Sequence, residues 1–240
     1  MQALYLTDLT WPQVERLLAQ DDRLILVTGA TEQHGHHLPL GTDNFIPLTI
    51  AERLSARTGI PIAPPLPIGM SESHMAFPGS FTFSTDTLRG VYLELVQSAY
   101  RNGWRRLFVI NGHGGNIPIC TWVSSLALKI KKDLKIHTTH WWQEETARQY
   151  IYEQVGRNEN HAGLEESAAM LVSRPEVVRL DQAIGDSNVP EDIWTRAPAE
   201  VRRLVPSGAI GANPAQATKE LGEGMLTRLI EQYIEFINNW

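Results

Sequence analysis

The segment TEQHGHHLPLGTD, residues 31–43, gathers His34, His36 and His37 between Glu32 and Asp43. Side chains two apart on an extended chain face the same way, so Glu32 and His34 share a side if residues 30–34 stay extended. Asp43 can return to them across a loop turned by Gly35, Pro39 and Gly41. Imidazole and carboxylate together suit zinc, manganese or iron. A solvated polar loop with exposed histidines is the competing account. A second cluster, NGHGGN at 111–116, frees the backbone around His113 so that its ring can approach a centre closely. An anion cradle at a helix N-terminus is its rival, although the run lacks both glycine-rich nucleotide-binding patterns. A plain strand-to-helix turn would need the glycines but not the histidine.

Two further segments carry chemistry. HAGLEES, residues 161–167, enters a helix that continues through ESAAMLVS. Glu165 and Glu166 there suit the positive end of the helix dipole, but Glu166 could equally be a ligand and His161 a proton carrier. GMSESHMAFPGS, residues 69–80, contributes Ser71, His74 and a Phe-Pro-Gly turn, and His74 reads equally as a functional or a surface histidine. Taken together, clusters of histidine and carboxylate at strand ends and helix starts point to a two-metal hydrolytic site. His137 and His140 lie in a strand-like run without a nearby carboxylate and read as structural. Cys120, inside NIPICTWV, reads as a buried small apolar residue rather than a nucleophile. Of Trp141 and Trp142, one is expected in the core and the other at a pocket.

These residues need elements to hold them. Short apolar runs at 23–30, 105–112 and 134–142 predict strands, and 59–69 contains a shorter one. Apolar residues at helical spacing predict helices over 43–58, 84–103 and 116–133, with another from Thr10 to Gln20 and a last one over 217–239. Alternating strands and helices imply a mainly parallel sheet covered on both faces. In such sheets ligands sit beyond the carboxyl ends of the strands, where the polar clusters fall. The stretch 181–217, rich in Pro, Gly, Ala and Asp, is expected to be a long ordered loop over a site or an interface.

Composition narrows the function classes. The chain has 240 residues, 42% hydrophobic and 20% charged, enough for a full globular core. A net charge of −6 offers no pull toward nucleic acid or an anionic membrane. The single cysteine rules out a disulfide framework and favours a reducing compartment. No basic-then-apolar leader and no spanning apolar run are read, so a cytoplasmic protein is expected.

At its polar clusters the sequence resembles the creatininase (creatinine amidohydrolase) family. That family carries EQHGPHLPL-x-TD, an FPG turn after a Ser/His loop, NGHGGN or a close variant, and HAG-x-x-E-T/S. This chain shows TEQHGHHLPLGTD, SESHMAFPGS, NGHGGN and HAGLEES in that order, and SGAIGANPAQATKELGEG (207–224) matches the late Gly/Pro segment. The resemblance spans nearly the whole chain. It implies one domain over residues 1–240, a three-layer α/β/α fold with a mainly parallel central sheet, and an amidohydrolase acting on a small-molecule, non-peptide or cyclic C–N amide bond. It also implies two divalent ions per subunit (zinc, manganese or iron), a bridging hydroxide as nucleophile, and a homo-oligomer, commonly a hexamer.

Carried over by position, Glu32 and His113 bind one metal and His34 the other, with Asp43 bridging both, and His161 protonates the leaving nitrogen. Ser71, His74 and Trp142 fall at substrate-contacting places. His37 is expected to orient a ligand, and His36, in place of a family proline, to be exposed. Creatininase proper has a carboxylate ligand where this chain has Gly115, and Glu166 is the expected substitute. Asn160 stands in place of a glutamate, and Arg157 in place of a substrate-packing tryptophan, which argues against creatinine itself. Other relatives deformylate a pyrimidine nucleotide precursor or trim a peptide cofactor precursor. A metal-binding assembly protein without turnover is the alternative from another class.

Overall fold

The computed structural model describes residues 2–130, 132–156, 160–211 and 213–240. In chain order its longer elements are α1 (Trp11–Leu18), β1 (Arg23–Thr28), α2 (Thr42–Thr58), α3 (Thr85–Arg101), β2 (Arg106–Asn111), α4 (Ile117–Ile130) and β3 (Lys135–His140). These are followed by α5 (Glu145–Val155), α6 (Leu164–Ser173), α7 (Pro198–Leu204) and α8 (Lys219–Asn238). Local chemistry sets several of their starts. The Thr10 amide donates to Gln13 Oε1 at 2.7 Å before Pro12 enters α1. The Thr218 hydroxyl accepts from the Leu221 amide at 3.1 Å to open α8.

The strands form a parallel sheet in the order β1-β2-β3, with Arg23 level with Arg106 and Arg106 level with Lys135. Alternation along the strands divides the core in two. Leu24 and Leu107 pack with Leu88 and Val96 of α3 and Ile119 and Val123 of α4. Ile25, Val27, Phe108 and Ile110 belong to the opposite core, with Ile46 and Ile50 of α2, Met170 of α6, and Leu226 and Tyr233 of α8. Helices therefore cover both faces, as the strand-helix alternation implied.

The 59–69 run departs from the strand expected of it. It follows the edge of β1 through the isolated parallel bridges Ile25–Ile62 and Thr28–Leu66. Pro61, Pro64, Pro65 and Pro67 have no N–H to donate, so only the Ala63 and Leu66 amides reach β1, at 2.9 and 3.0 Å. The strand expected through Trp142 ends at His140, where Trp141–Gln143 turn in a 3₁₀ helix. Two helices were not anticipated, α5 and α7. The 181–217 segment holds its own apolar cluster of Ile193, Val201 and Val205, against which Phe77 packs. Arg202 ties it to the 69–80 loop by donating to the Ala76 carbonyl at 2.6 Å.

The first turn of α2 is pressed onto the carboxyl ends of β1 and β2. A Cβ on Gly29 would lie 2.2 Å from the Asp43 carbonyl oxygen, and one on Gly112 would lie 2.0 Å from the same atom. The two strand-end glycines thus admit the backbone of Asp43 to the sheet edge. Gly112→Ala is expected to cost about 1–3 kcal/mol through overpacking and to lower the thermal midpoint by roughly 2–10 °C. Gly90→Ala, in open space within α3, is the control and should be neutral or stabilising in the same melt.

Candidate metal centre

The loop after β1 folds back on itself. Thr31 bridges Phe81, the Glu32 amide donates to the Leu40 carbonyl at 3.0 Å, and His34 bridges Leu38. This closure delivers Glu32, His34 and Asp43 to one place, all nearly inaccessible at 1%, 1% and 3% exposure. β2 ends at Asn111 and supplies His113, whose amide donates to the Asn111 side chain at 3.1 Å. The first turn of α6 supplies Glu166.

Asp43 lies at the middle. Its Oδ1 is 2.9 Å from His34 Nε2 and its Oδ2 is 2.9 Å from His113 Nδ1. Glu32 Oε1 is 3.4 Å from His113 Nδ1, and Glu166 Oε2 is 3.9 Å from His34 Nε2. Ligand atoms of Glu32, Asp43 and His113 gather within 4.8 Å of one another, as do those of His34, Asp43 and Glu166. Glu32, His34 and His161 form a third such group. The outer nitrogens are committed elsewhere: His34 Nδ1 to the Glu32 carbonyl at 3.2 Å, and His113 Nε2 to the Met70 carbonyl at 3.0 Å. Each ring thereby donates outward and turns its other nitrogen inward, the arrangement that backs imidazole ligands.

The residues fit a divalent ion. Glu32 Oε2 is buried without a hydrogen-bond partner among the described residues. Three carboxylates converge here, and buried carboxylates require compensation by cations. Without a metal, protons supply it. Burial pulls the His34 imidazole down, but the charge of Asp43 and its hydrogen bond outweigh this and carry the ring to about 10. Burial opposes His113 in the same way, and Glu32 and Asp43 lift it to about 9. Burial raises the Asp43 carboxyl, but the two imidazoles hold it well below the usual carboxylate range. Glu166 is lifted by burial to about 7, against the pull of His34 and with the charge of Asp43 adding to the rise.

Gly115 has no room for a carboxylate side chain, while α6 brings Glu166 beside the cluster. A Cβ at Gly115 would lie 2.1 Å from the Met70 carbonyl oxygen and 2.5 Å from His113 Nε2, so no side chain fits there. Glu166 is aimed instead by the Ala162 amide, which donates to Oε2 at 2.6 Å. Ala162 adopts φ 51 to do so, a left-handed conformation costly for alanine.

His161 lies beside the cluster, its Nδ1 3.8 Å from Glu32 Oε1 and its ring 4.5 Å from that of His34. Burial, and then His34 and His74, hold it well below the ordinary imidazole value, so it is neutral. His74 lies with Nε2 3.4 Å from Glu32 Oε1. A cavity of about 600 Å³ opens onto these groups, with Trp142, Arg148 and Asn160 in its wall. Ser71 is buried, is not among the residues lining that cavity, and its hydroxyl has no partner among the described residues. Among the described residues His37 reaches α6 beside Glu166 rather than a ligand itself. It packs with Nε2 2.9 Å from the Ser167 hydroxyl, because the closed loop turns it toward α6. His36 is exposed, and Arg157 lies outside the described residues. His137 stacks on Phe108 and Phe236, His140 accepts from Asn111, and burial pushes the Cys120 thiol up to about 11.

Two neighbours of the site were not anticipated. Trp194 stacks on His74 with ring centres 4.8 Å apart and meets His161 edge-on at 5.1 Å. It comes from the weakly periodic 181–217 segment, and no local pattern marks it. Gln33 contacts both His74 and His161.

This is an α/β protein with a carboxylate–imidazole cluster beyond the carboxyl edge of its parallel sheet. The family model described as creatinine amidohydrolase matches residues 7–237, and the chain belongs to the creatininase family. It is 28% identical to the creatinine amidohydrolase of Pseudomonas putida over 94% of this chain and 92% of that one. It is 27% identical to the mycofactocin precursor peptide peptidase of Mycolicibacterium smegmatis, over 90% and 85% of the two chains. Among solved structures, a creatininase variant of Zn–Zn type superposes with a TM-score of 0.87 at 26% identity, covering 100% of this chain and 98% of that one. A manganese creatininase does so with a TM-score of 0.86 at 26% identity, covering 99% and 98%.

Both imidazoles must lose a proton before they can hold a metal. With His34 at about 10 and His113 at about 9, metal uptake by the metal-free protein at pH 7.5 should release about two protons per chain. Affinity should climb with pH up to those values and level off above them, where release falls away. Calorimetry in two buffers of different ionisation enthalpy measures this. Release near zero at pH 7.5 would show neutral histidines.

Proposed function

We propose that this creatininase-family hydrolase is a divalent-metal-dependent amidohydrolase cleaving a non-peptide or cyclic C–N amide bond. The observation that carries the reading is Asp43, buried with one oxygen 2.9 Å from His34 and the other 2.9 Å from His113. Glu32, Asp43 and His113 would hold one ion, and His34, Asp43 and Glu166 a second, with Asp43 shared. The family's Zn–Zn and Mn structures support divalent ions in this role. Two such ions, when bound, polarise an amide carbonyl and make water a nucleophile near neutral pH.

The chain's own groups do the rest. His161, neutral and facing the cluster through Nδ1, would take a proton from the attacking water and pass it to the departing nitrogen. Trp142 and His74 would contact the substrate from the cavity wall, with Ser71 buried nearby. The whole chain would act as one domain. Among the described residues no helix is long and apolar enough to cross a membrane. The single cysteine favours a reducing compartment, and we place the enzyme in the cytoplasm. By family likeness it would assemble as a homo-oligomer, a hexamer in our reading.

We place the substrate among small amides, formamides and lactams rather than creatinine itself. Gly115, Asn160 and Arg157 depart from creatininase proper at positions that serve creatinine. Asn160 also supports the alternative of a metal-holding protein without turnover, and hydrolysis decides between them.

Asp43→Ala is expected to lose bound divalent metal and all hydrolysis, read by elemental mass spectrometry on protein purified without a metal-affinity tag. Two tightly held ions in that variant would overturn the ligand assignment. His161→Ala should keep the metal and lose roughly 10²–10⁴-fold in turnover of formamides or lactams. Full activity in His161→Ala would remove its role as proton carrier.

A further inference from the structure

Gln33 lies between two proposed ligands in sequence, is 6% exposed, and uses all of its polar atoms. Its amide donates to the Ser80 hydroxyl at 3.1 Å, and its Oε1 accepts from the Gly35 amide at 3.0 Å. The second bond settles the orientation of the carboxamide, because only oxygen can accept from a backbone N–H. The NH₂ group must then face the two imidazoles, with Nε2 3.0 Å from His74 Nδ1 and 2.9 Å from His161 Nε2. One amide group meets both rings beside the cluster. Its seat is tight: a Cβ on Gly208 would lie 2.0 Å from Gln33 Oε1.

We propose that Gln33 is a positioning residue whose carboxamide dictates which nitrogen of His74 carries the proton and presents Nδ1 of His161 to the reaction centre. His74 must accept at Nδ1, so its proton sits on Nε2 and points at Glu32 Oε1, 3.4 Å away. For His161 the same residue offers two complementary partners at Nε2. The Gln33 carboxamide can donate to that nitrogen at 2.9 Å, and the Gln33 carbonyl can accept from it at 2.9 Å. The outer nitrogen of His161 is therefore matched whether or not it carries the proton. The inner nitrogen stays turned toward Glu32, 3.8 Å from Oε1. Glutamate has the same shape but only acceptors, so it would demand a proton on His74 Nδ1. The catalytic consequence rests on the hydrolase reading, but the hydrogen-bonding assignment does not.

The test uses the full-length, zinc-loaded protein labelled with ¹⁵N-histidine, comparing wild type with Gln33→Glu and Gln33→Met. Two-bond ¹H–¹⁵N correlations report which ring nitrogen bears hydrogen. In the wild type His74 should be the Nε2–H form, and in Gln33→Glu the Nδ1–H form, with zinc content unchanged. With formanilide as probe substrate, kcat in Gln33→Glu should fall about 10–100-fold, as for other residues that orient site groups. KM should stay within about threefold, because the loss falls on the transition state. A wild-type His74 protonated on Nδ1 would overturn the proposal, as would a zinc-replete Gln33→Glu protein with unchanged tautomers. If Gln33→Glu does not fold, Gln33→Met decides. A mixture of His74 tautomers supports the assignment, and a persistent single Nε2–H form overturns it. If Gln33→Glu shows the tautomer switch while the wild type leaves formanilide intact, that counts against the hydrolase reading and leaves the positioning role standing.

Discussion

The buried carboxylate of Asp43, clasped between His34 and His113, is the interaction on which the rest of the site depends. An unpaired carboxylate at this depth would be prohibitively costly, and two imidazoles 2.9 Å away make it tolerable. The same arrangement leaves Glu32 and Glu166 near Asp43, so the cluster has more acceptors than donors. One oxygen of Glu32 has no partner among the described residues. Excess carboxylate oxygen surrounded by inward-facing imidazole nitrogen is the electrostatic signature of a cation site.

Getting Asp43 to that position constrains the fold. The residue opens α2, yet it must touch the carboxyl ends of both β1 and β2, which is why glycine stands at 29 and 112. The parallel sheet supplies a common edge, and the loop closed by the Glu32–Leu40 hydrogen bond returns the chain to it. The metal site and the core are thus not separable features. The helix that contributes Ile46 and Ile50 to the apolar core also carries the central carboxylate.

Around this centre the chain spends backbone strain and long loops. Ala162 holds a left-handed conformation in which its amide donates to Glu166, and the backbone at Gly115 is too crowded for a side chain. The 181–217 segment behaves as a cover with its own small core, and it presses Trp194 onto His74 and His161. Aromatic packing there adds to the Gln33 contacts with the same two rings.

Much of this was legible in the chain before folding. Glu32, His34, Asp43 and His113 stood out as candidates because spacing relative to strand ends and glycine turns is a local property, and the fold brings the four together. Local rules of alternation and turn chemistry placed β1, β2 and β3 and the main helices around the sheet. They failed at 59–69, where hydrophobicity suggested a strand but prolines removed the donors a ladder needs. They did not name Ser167 as the partner of His37, which depends on how the loop closes against α6. Glu166 could be named only as a substitute carboxylate, and Gln33 and Trp194 not at all. Their roles arise from contacts between segments far apart in sequence, such as the 128-residue separation between Gln33 and His161. Spacing along the chain encodes which groups can share one strand end or one turn. Which distant groups meet them is decided by the packing of α6 and the 181–217 segment over the sheet edge, where steric fit and burial act across the whole molecule.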